Sequence, residues 1–175
     1  LQRPRAELET LRSERPIRPA ETDGSVFHAP GSKLQLPLEL VDSMPQLISY
    51  VDSELIYRFV NRAYEKHFGL DAARVVGRRL PDVIGEKAYA ATRDYVQRVL
   101  RGNPVHYHKR LEYPNDIVMH IDAHLLPDCD AAGVVCGYYA MLHDVTHVVR
   151  SQEALREGER RYRFLFNSVR DAIYL

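Results

Sequence analysis

Hydrophobic and polar positions change their spacing several times along this chain, and each change marks an element. The first 32 residues carry no sustained apolar period: they are polar and broken by Pro4, Pro16, Pro19 and Pro30, with Leu8 and Leu11 three apart among charges. That pattern predicts the end of a helix followed by a linker over 1–34, with a compact domain starting at about residue 35. Leu36, Leu40 and Val41 then recur at helical spacing, which predicts a short amphipathic helix over 36–43. Leu47–Val51 and Ile56–Val60 are short apolar runs around Asp52-Ser53-Glu54, the signature of a hairpin. Asn61 is placed to cap a helix carrying Ala63, Tyr64 and Phe68 and ended by Gly69. Short helical turns follow from Asp71 and over Pro81–Ile84. The longest internal helix is predicted over Glu86–Arg101, with Tyr89, Thr92, Val96, Val99 and Leu100 on its inner side. Three strands are then predicted. Val105–Tyr113 and Ile117–Leu126 are joined by Pro114-Asn115-Asp116, and Val134–Val145 follows a polar turn over Pro127–Gly133. The order predicts an α+β fold: one five-stranded antiparallel sheet with short helices on one face, flanked by N-terminal and C-terminal helices.

The last strand ends at Asp144-Val145-Thr146 and passes directly into a polar helical run, Val148–Arg163. Asp144 and Thr146 have short side chains that bond nearby backbone where strand becomes helix. A sheet strand feeding an exposed helix is also a mechanical joint, through which strain in the sheet moves the helix. Beyond it, Leu40, Ser43 and Ile48 recur at an offset of 125 as Leu165, Ser168 and Ile173, within a similar pattern of helix running into apolar strand. The expected organisation is therefore a domain over 35–146, a linker helix over 147–164, and the start of a second, truncated copy over 165–175.

Composition narrows the function. Net charge is zero, which leaves no footprint for nucleic acid or for a polybasic membrane patch. No apolar stretch approaches a membrane span, and two cysteines, Cys129 and Cys136, favour a reducing, cytoplasmic setting over a disulfide framework. The chain begins with Leu, so it reads as a piece of a longer polypeptide. It contains no Gly-rich phosphate loop, nucleophile elbow or zinc-protease helix, so catalysis is not expected of it. Eight histidines are many for 175 residues. His106 and His108 share one strand face about 7 Å apart, whereas His120 and His124 lie about 13 Å apart, too far for one ion. If the Pro114 loop has odd length, His106 faces His124 and His108 faces Asp122, grouping three imidazoles and a carboxylate as a metal or pH-sensing cluster. The other reading is a solvated outer face, and a one-residue slip dissolves the group. For a small organic ligand, Lys109 is the carboxylate partner, and Tyr50, Tyr89, Tyr107 and Tyr139 supply hydroxyls to an apolar cleft. Against that, Lys109 snorkels to the rim and the tyrosines simply fill core.

Taken together, Tyr50-Val51-Asp52 through Tyr57-Arg58-Phe59-Val60-Asn61-Arg62-Ala63-Tyr64, then Phe68-Gly69-Leu70 with Val76-Gly77-Arg78, then Leu126-Pro127-Asp128 before Ala132-Gly133, and finally Asp144-Val145-Thr146 resemble the ordered landmarks of a PAS domain. The resemblance covers about 36–146, and Glu159–Tyr174 resembles the start of a second PAS domain. It implies a regulatory sensory and relay module of a larger signalling protein, a histidine kinase or a cyclic-di-GMP enzyme, with Asn61, Asp144 and Thr146 as relay positions. It also implies a homodimer through flanking helices, with Leu36, Leu40, Val41 and Leu155 as contacts, and an output domain further along the chain. A ligand-free dimerisation or interaction spacer is the alternative. Flavin and haem signatures are missing from the expected places: Leu80–Gly85 has no cysteine, the chain has no tryptophan, and Glu86–Arg101 has no histidine. His143-Asp144-Val145-Thr146 has the acidic neighbour of a kinase phosphoacceptor box, but it reads as strand and lacks the proline that box needs.

Overall fold

The computed structural model describes residues 26–28, 35–69 and 71–173. The expected helix end at Leu8 and Leu11 and the linker prolines lie outside those residues, as do Tyr174 and Leu175. Two three-residue strands come first, β1 (Val26–His28) and β2 (Gln35–Pro37), paired antiparallel. Leu36 therefore sits in a strand, and the helix expected over 36–43 is shorter: α1 (Leu38–Ser43) begins after Pro37, whose fixed φ of −58° suits a helix entry.

The main sheet is built from β3 (Leu47–Asp52), β4 (Tyr57–Val60), β5 (Val105–Glu112), β6 (Val118–Cys129) and β7 (Val135–Asp144), in the order β4-β3-β7-β6-β5. It is the expected five-stranded antiparallel sheet. Sequence neighbours β3 and β4 form one hairpin, and β5, β6 and β7 form a meander whose last strand inserts beside β3. β6 runs three residues beyond its expected end at Leu126, because Pro127 and Asp128 still pair with Tyr138 and Gly137.

Between the hairpin and the meander lie α2 (Ala63–Phe68), α3 (Ala72–Val75) and α4 (Leu80–Leu100). Gly69 at φ 63° ends α2, and the Asp71 carboxylate caps α3 by accepting from the Ala73 amide. Gly85, at φ 81° and ψ 154°, breaks α4 into the short turn and long helix read from the sequence. Leu80, Val83, Ala88, Val96 and Val99 of α4 pack on Val105, Leu111, Met119, Ile121, Ala123 and Leu125 of the sheet to form the main core. Strict alternation along β5 and β6 does the sorting: odd-numbered residues face this core, even-numbered ones the opposite face.

Asn61 does not cap α2 with its side chain; Arg62 holds the cap position without a side-chain bond. Asn61 is 1% exposed instead and brackets the entrance of the domain. Its Oδ1 accepts from the Ile48 amide at 2.9 Å, and its Nδ2 donates to the Val41 and Gln46 carbonyls at 3.0 and 2.9 Å. The outgoing helix α5 (Thr146–Ile173) has 28 residues and continues to Ile173, where a strand had been expected.

Candidate functional site

Three places bear on function, and the first is the cleft between α2–α4 and the sheet. Its wall is lined by Ser49, Tyr57, Tyr64, Tyr107, Tyr113 and Tyr138 together with aliphatic side chains, and the space left measures ≈ 40 Å³. That volume accommodates a water or two, whereas ligand pockets run from about 300 Å³ upward. Tyr57 and Tyr64 hydrogen-bond each other, and the Tyr64 hydroxyl donates to Ser49 Oγ at 3.0 Å. Burial pushes the phenol pKa of Tyr57, Tyr64, Tyr107, Tyr113 and Tyr138 above the ordinary value, so all five hydroxyls are held neutral.

The five residues expected to line a ligand cleft separate. Tyr107 does line it, stacked on Tyr95 with ring centroids 4.1 Å apart. Tyr89 packs part-buried against the main core. Lys109 reaches the helix instead of the cleft: its Nζ donates to the Ala91 carbonyl at 2.7 Å and lies 5.7 Å from the Tyr95 ring centre. Tyr50 and Tyr139 are on the other face of the sheet. They face each other across β3 and β7, with rings 5.0 Å apart, and form a second small cluster with Leu38 and Phe59. The Tyr50 hydroxyl donates to the buried Asp128 carboxylate at 3.0 Å; burial first, then that negative charge, raises its pKa. Strand parity carries this information, since residue 50 alternates with Ser49 and Val51, which face the cleft. Tyr113 shares the alternating strand face of Tyr107 that was expected to line the cavity, whereas Tyr57, Tyr64 and Tyr138 carry no distinguishing signal, because aromatic residues in strands and amphipathic helices read equally well as filler.

The second place is the open half of the outer sheet face. The loop after Glu112 sets His106 opposite His124 and His108 opposite Asp122, the register an odd loop demands. One carboxylate oxygen, Asp122 Oδ1, lies 2.6 Å from His106 Nε2, 2.8 Å from His108 Nε2 and 3.8 Å from His124 Nε2. The His106 and His124 rings stack at 4.1 Å, and His108 meets His106 edge-on at 4.9 Å. Partial burial opposes ionisation of Asp122, but the His106 hydrogen bond and the three imidazoles hold its carboxyl below the usual range.

The third place is the joint after β7. Thr146 Oγ1 accepts from the His120 amide of β6 at 2.8 Å, and the Val145 amide donates back to the His120 carbonyl at 2.8 Å. Asp144 Oδ1 accepts from the Thr146 amide at 2.9 Å, and the Val145 carbonyl receives the first helical bond, from Val149. Asp144 and Thr146 thus bond the local backbone, as their size and position suggested, and Thr146 also stitches the helix start to a second strand. On α5, Val148, Leu155 and Tyr162 are exposed at seven-residue spacing. Val41, expected on a partner surface, is buried, whereas Leu40 is 52% exposed. No helix among the described residues is long and apolar enough to cross a membrane.

A family model described as PAS fold matches residues 41–150. No curated protein matches the chain. Among solved structures, the chain is similar to a PAS domain from Colwellia psychrerythraea, with a TM-score of 0.55 and 14% identity over 62% of this chain and 93% of that one. It is similar to the PAS domain of Bordetella pertussis BvgS, with a TM-score of 0.53 and 25% identity over 69% of this chain and 93% of that one. It also resembles Vibrio cholera VqmA in its complex with ligand and DNA, with a TM-score of 0.54 and 21% identity. That match covers 63% of this chain but only 52% of VqmA, so the likeness concerns one part of a larger protein.

Proposed function

Because this chain belongs to the PAS fold family, we propose that it is the sensory and relay module of a larger signalling protein, with its output carried by α5. One observation supports this reading above the rest. The terminal strand β7, at the centre of the sheet, is bonded to its neighbour β6 through Thr146 and His120, and then continues without a break into a 28-residue helix. A shift between β6 and β7 therefore reaches the helix start directly. The exposed Val148, Leu155 and Tyr162 give that helix a stripe suited to pairing with the same helix of a second copy. In this reading the parent is a histidine kinase or a cyclic-di-GMP enzyme, the module itself does no chemistry, and residues 165–175 lead into a further PAS unit.

Thr146→Val tests the joint, since it keeps the shape and removes the hydroxyl. It should speed hydrogen exchange at the His120 amide and shift the basal output of the full-length protein, and Thr146→Ser should restore both. Faster exchange with wild-type output would remove the joint from the signalling path.

The tightly filled cleft favours one further reading of the input: a protein partner or a change on the sheet's outer face, with no ligand in the interior. Native mass spectrometry of the purified chain checks this. A retained small molecule, lost on Tyr107→Phe or Tyr138→Phe, would return the input to the cleft.

A further inference from the structure

We propose that His106, His108, Asp122 and His124 form a binding site for a divalent transition-metal ion, zinc being the best match. The His106 and His108 Nε2 atoms lie 2.6 and 2.8 Å from one carboxylate oxygen, and the His124 Nε2 lies 3.8 Å from it, so three nitrogens and an oxygen of ligand type converge on one spot. The ligand atoms of His106, His108 and Asp122 all lie within 4.8 Å of one another. A tetrahedral zinc ion with bonds of roughly 2.0–2.2 Å needs ligand atoms about 3.3 Å apart. The existing separations from Asp122, between 2.6 and 3.8 Å, bracket that value; His106, His108 and Asp122 form the compact part of the site, and rotation of the half-exposed His124 ring would bring in its nitrogen as the fourth ligand. The donor set of nitrogen and oxygen, without thiolate, suits zinc and its first-row neighbours and is poor for calcium or magnesium.

The backbone preorganises the group. All four residues stand on adjacent strands, in facing pairs fixed by ladder hydrogen bonds on either side. Two of them, Asp122 and His124, are on β6, the strand whose His120 is clamped to the helix start. A groove of ≈ 490 Å³ separates the cluster from α5 and is lined by His108, His120, Asp122, Val145, Val148 and Val149. An ion tying β5 to β6 therefore stiffens the strand that holds the joint. This second step rests on the relay reading; the binding itself does not.

Cobalt(II), titrated into the intact chain, is the probe. One equivalent should give the visible absorption of tetrahedral cobalt, and zinc should bleach it. His106→Ala, His108→Ala and Asp122→Asn should each weaken binding more than ~100-fold, above the 10–100-fold typical of losing a group that merely supports a ligand. His67→Ala, on α2, should leave the titration unchanged. These are surface positions, and circular dichroism of each variant confirms folding. Absence of the tetrahedral band, or binding that survives the His106→Ala/His108→Ala pair, overturns the site. Zinc should also slow hydrogen exchange at the His120 and Val145 amides in the wild type but not in His106→Ala. Tight binding with unchanged exchange there overturns the coupling to the joint, while the Thr146 variants decide the relay separately.

Discussion

The Asn61 side chain fastens three separate stretches of backbone: the end of α1, the loop before β3, and β3 itself. Asn61→Ala leaves the Gln46 carbonyl and the Ile48 amide without these partners, and the Val41 carbonyl with only the Met44 amide at 3.3 Å, at a position that is 1% exposed. Urea denaturation should show a loss of about 3 kcal/mol. Asn61→Asp should be no better, because it turns two donor contacts into an anion facing two carbonyl oxygens. A loss below about 1 kcal/mol for either variant would mean that water takes over the bonds. Local preference reads Asn61 as a helix cap. Its actual partners lie up to 20 residues earlier in the chain, and no local rule reaches them. The histidine cluster behaves in the opposite way. Two strands of period two and one loop parity are enough to group His106, His108, Asp122 and His124, so their register is legible in the sequence.

Elements with a sustained period were the legible ones: all five strands of the main sheet and α4 follow from alternation or helical spacing. The β1–β2 ribbon was not foreseen, since three residues carry no period. The side of the sheet occupied by Tyr50 and Tyr139 follows from strand parity, whereas their hydroxyl chemistry alone points to the cleft. Where β3 meets β7, the backbones approach so closely that only glycine fits. A Cβ at Gly137 would lie 2.5 Å from the Val51 carbonyl oxygen, 2.7 Å from the Tyr50 hydroxyl and 2.9 Å from Asp52 Cα. Gly137→Ala should therefore cost about 2–3 kcal/mol by urea denaturation. It should also expose Tyr50 to quenchers, as the bond to Asp128 is levered apart. On α5, Leu155→Glu should shift the chain toward monomer in analytical ultracentrifugation. Because Leu155 is 66% exposed, its effect on monomer stability should stay within about 0.5 kcal/mol. Unchanged self-association would remove the helix stripe as the dimer contact.

Seen whole, the molecule keeps five phenols neutral in one cleft, and this shapes its response to alkali. Their folded-state pKa values are raised, so the stabilisation is fully present below the ordinary tyrosine value of about 10. It is lost as pH climbs from there, because the unfolded chain releases protons that the folded one retains. Circular dichroism and tyrosinate absorbance, followed together, should show the cleft phenols ionising in step with unfolding. Ionisation ahead of unfolding would mean that water already reaches them. The fold and its family landmarks were legible because they repeat a pattern along the chain. How full the cleft is was not, since packing depends on which side chains meet across 60 or more residues, as Tyr64 and Tyr138 do. The length of α5 has a geometric consequence of its own. Twenty-eight helical residues span about 42 Å, so a tilt of roughly five degrees at Thr146 carries the far end sideways by nearly 4 Å. The helix is a lever with its fulcrum at one threonine hydroxyl, and displacements too small to disturb a hydrogen bond at the sheet become the width of a side chain at the tip.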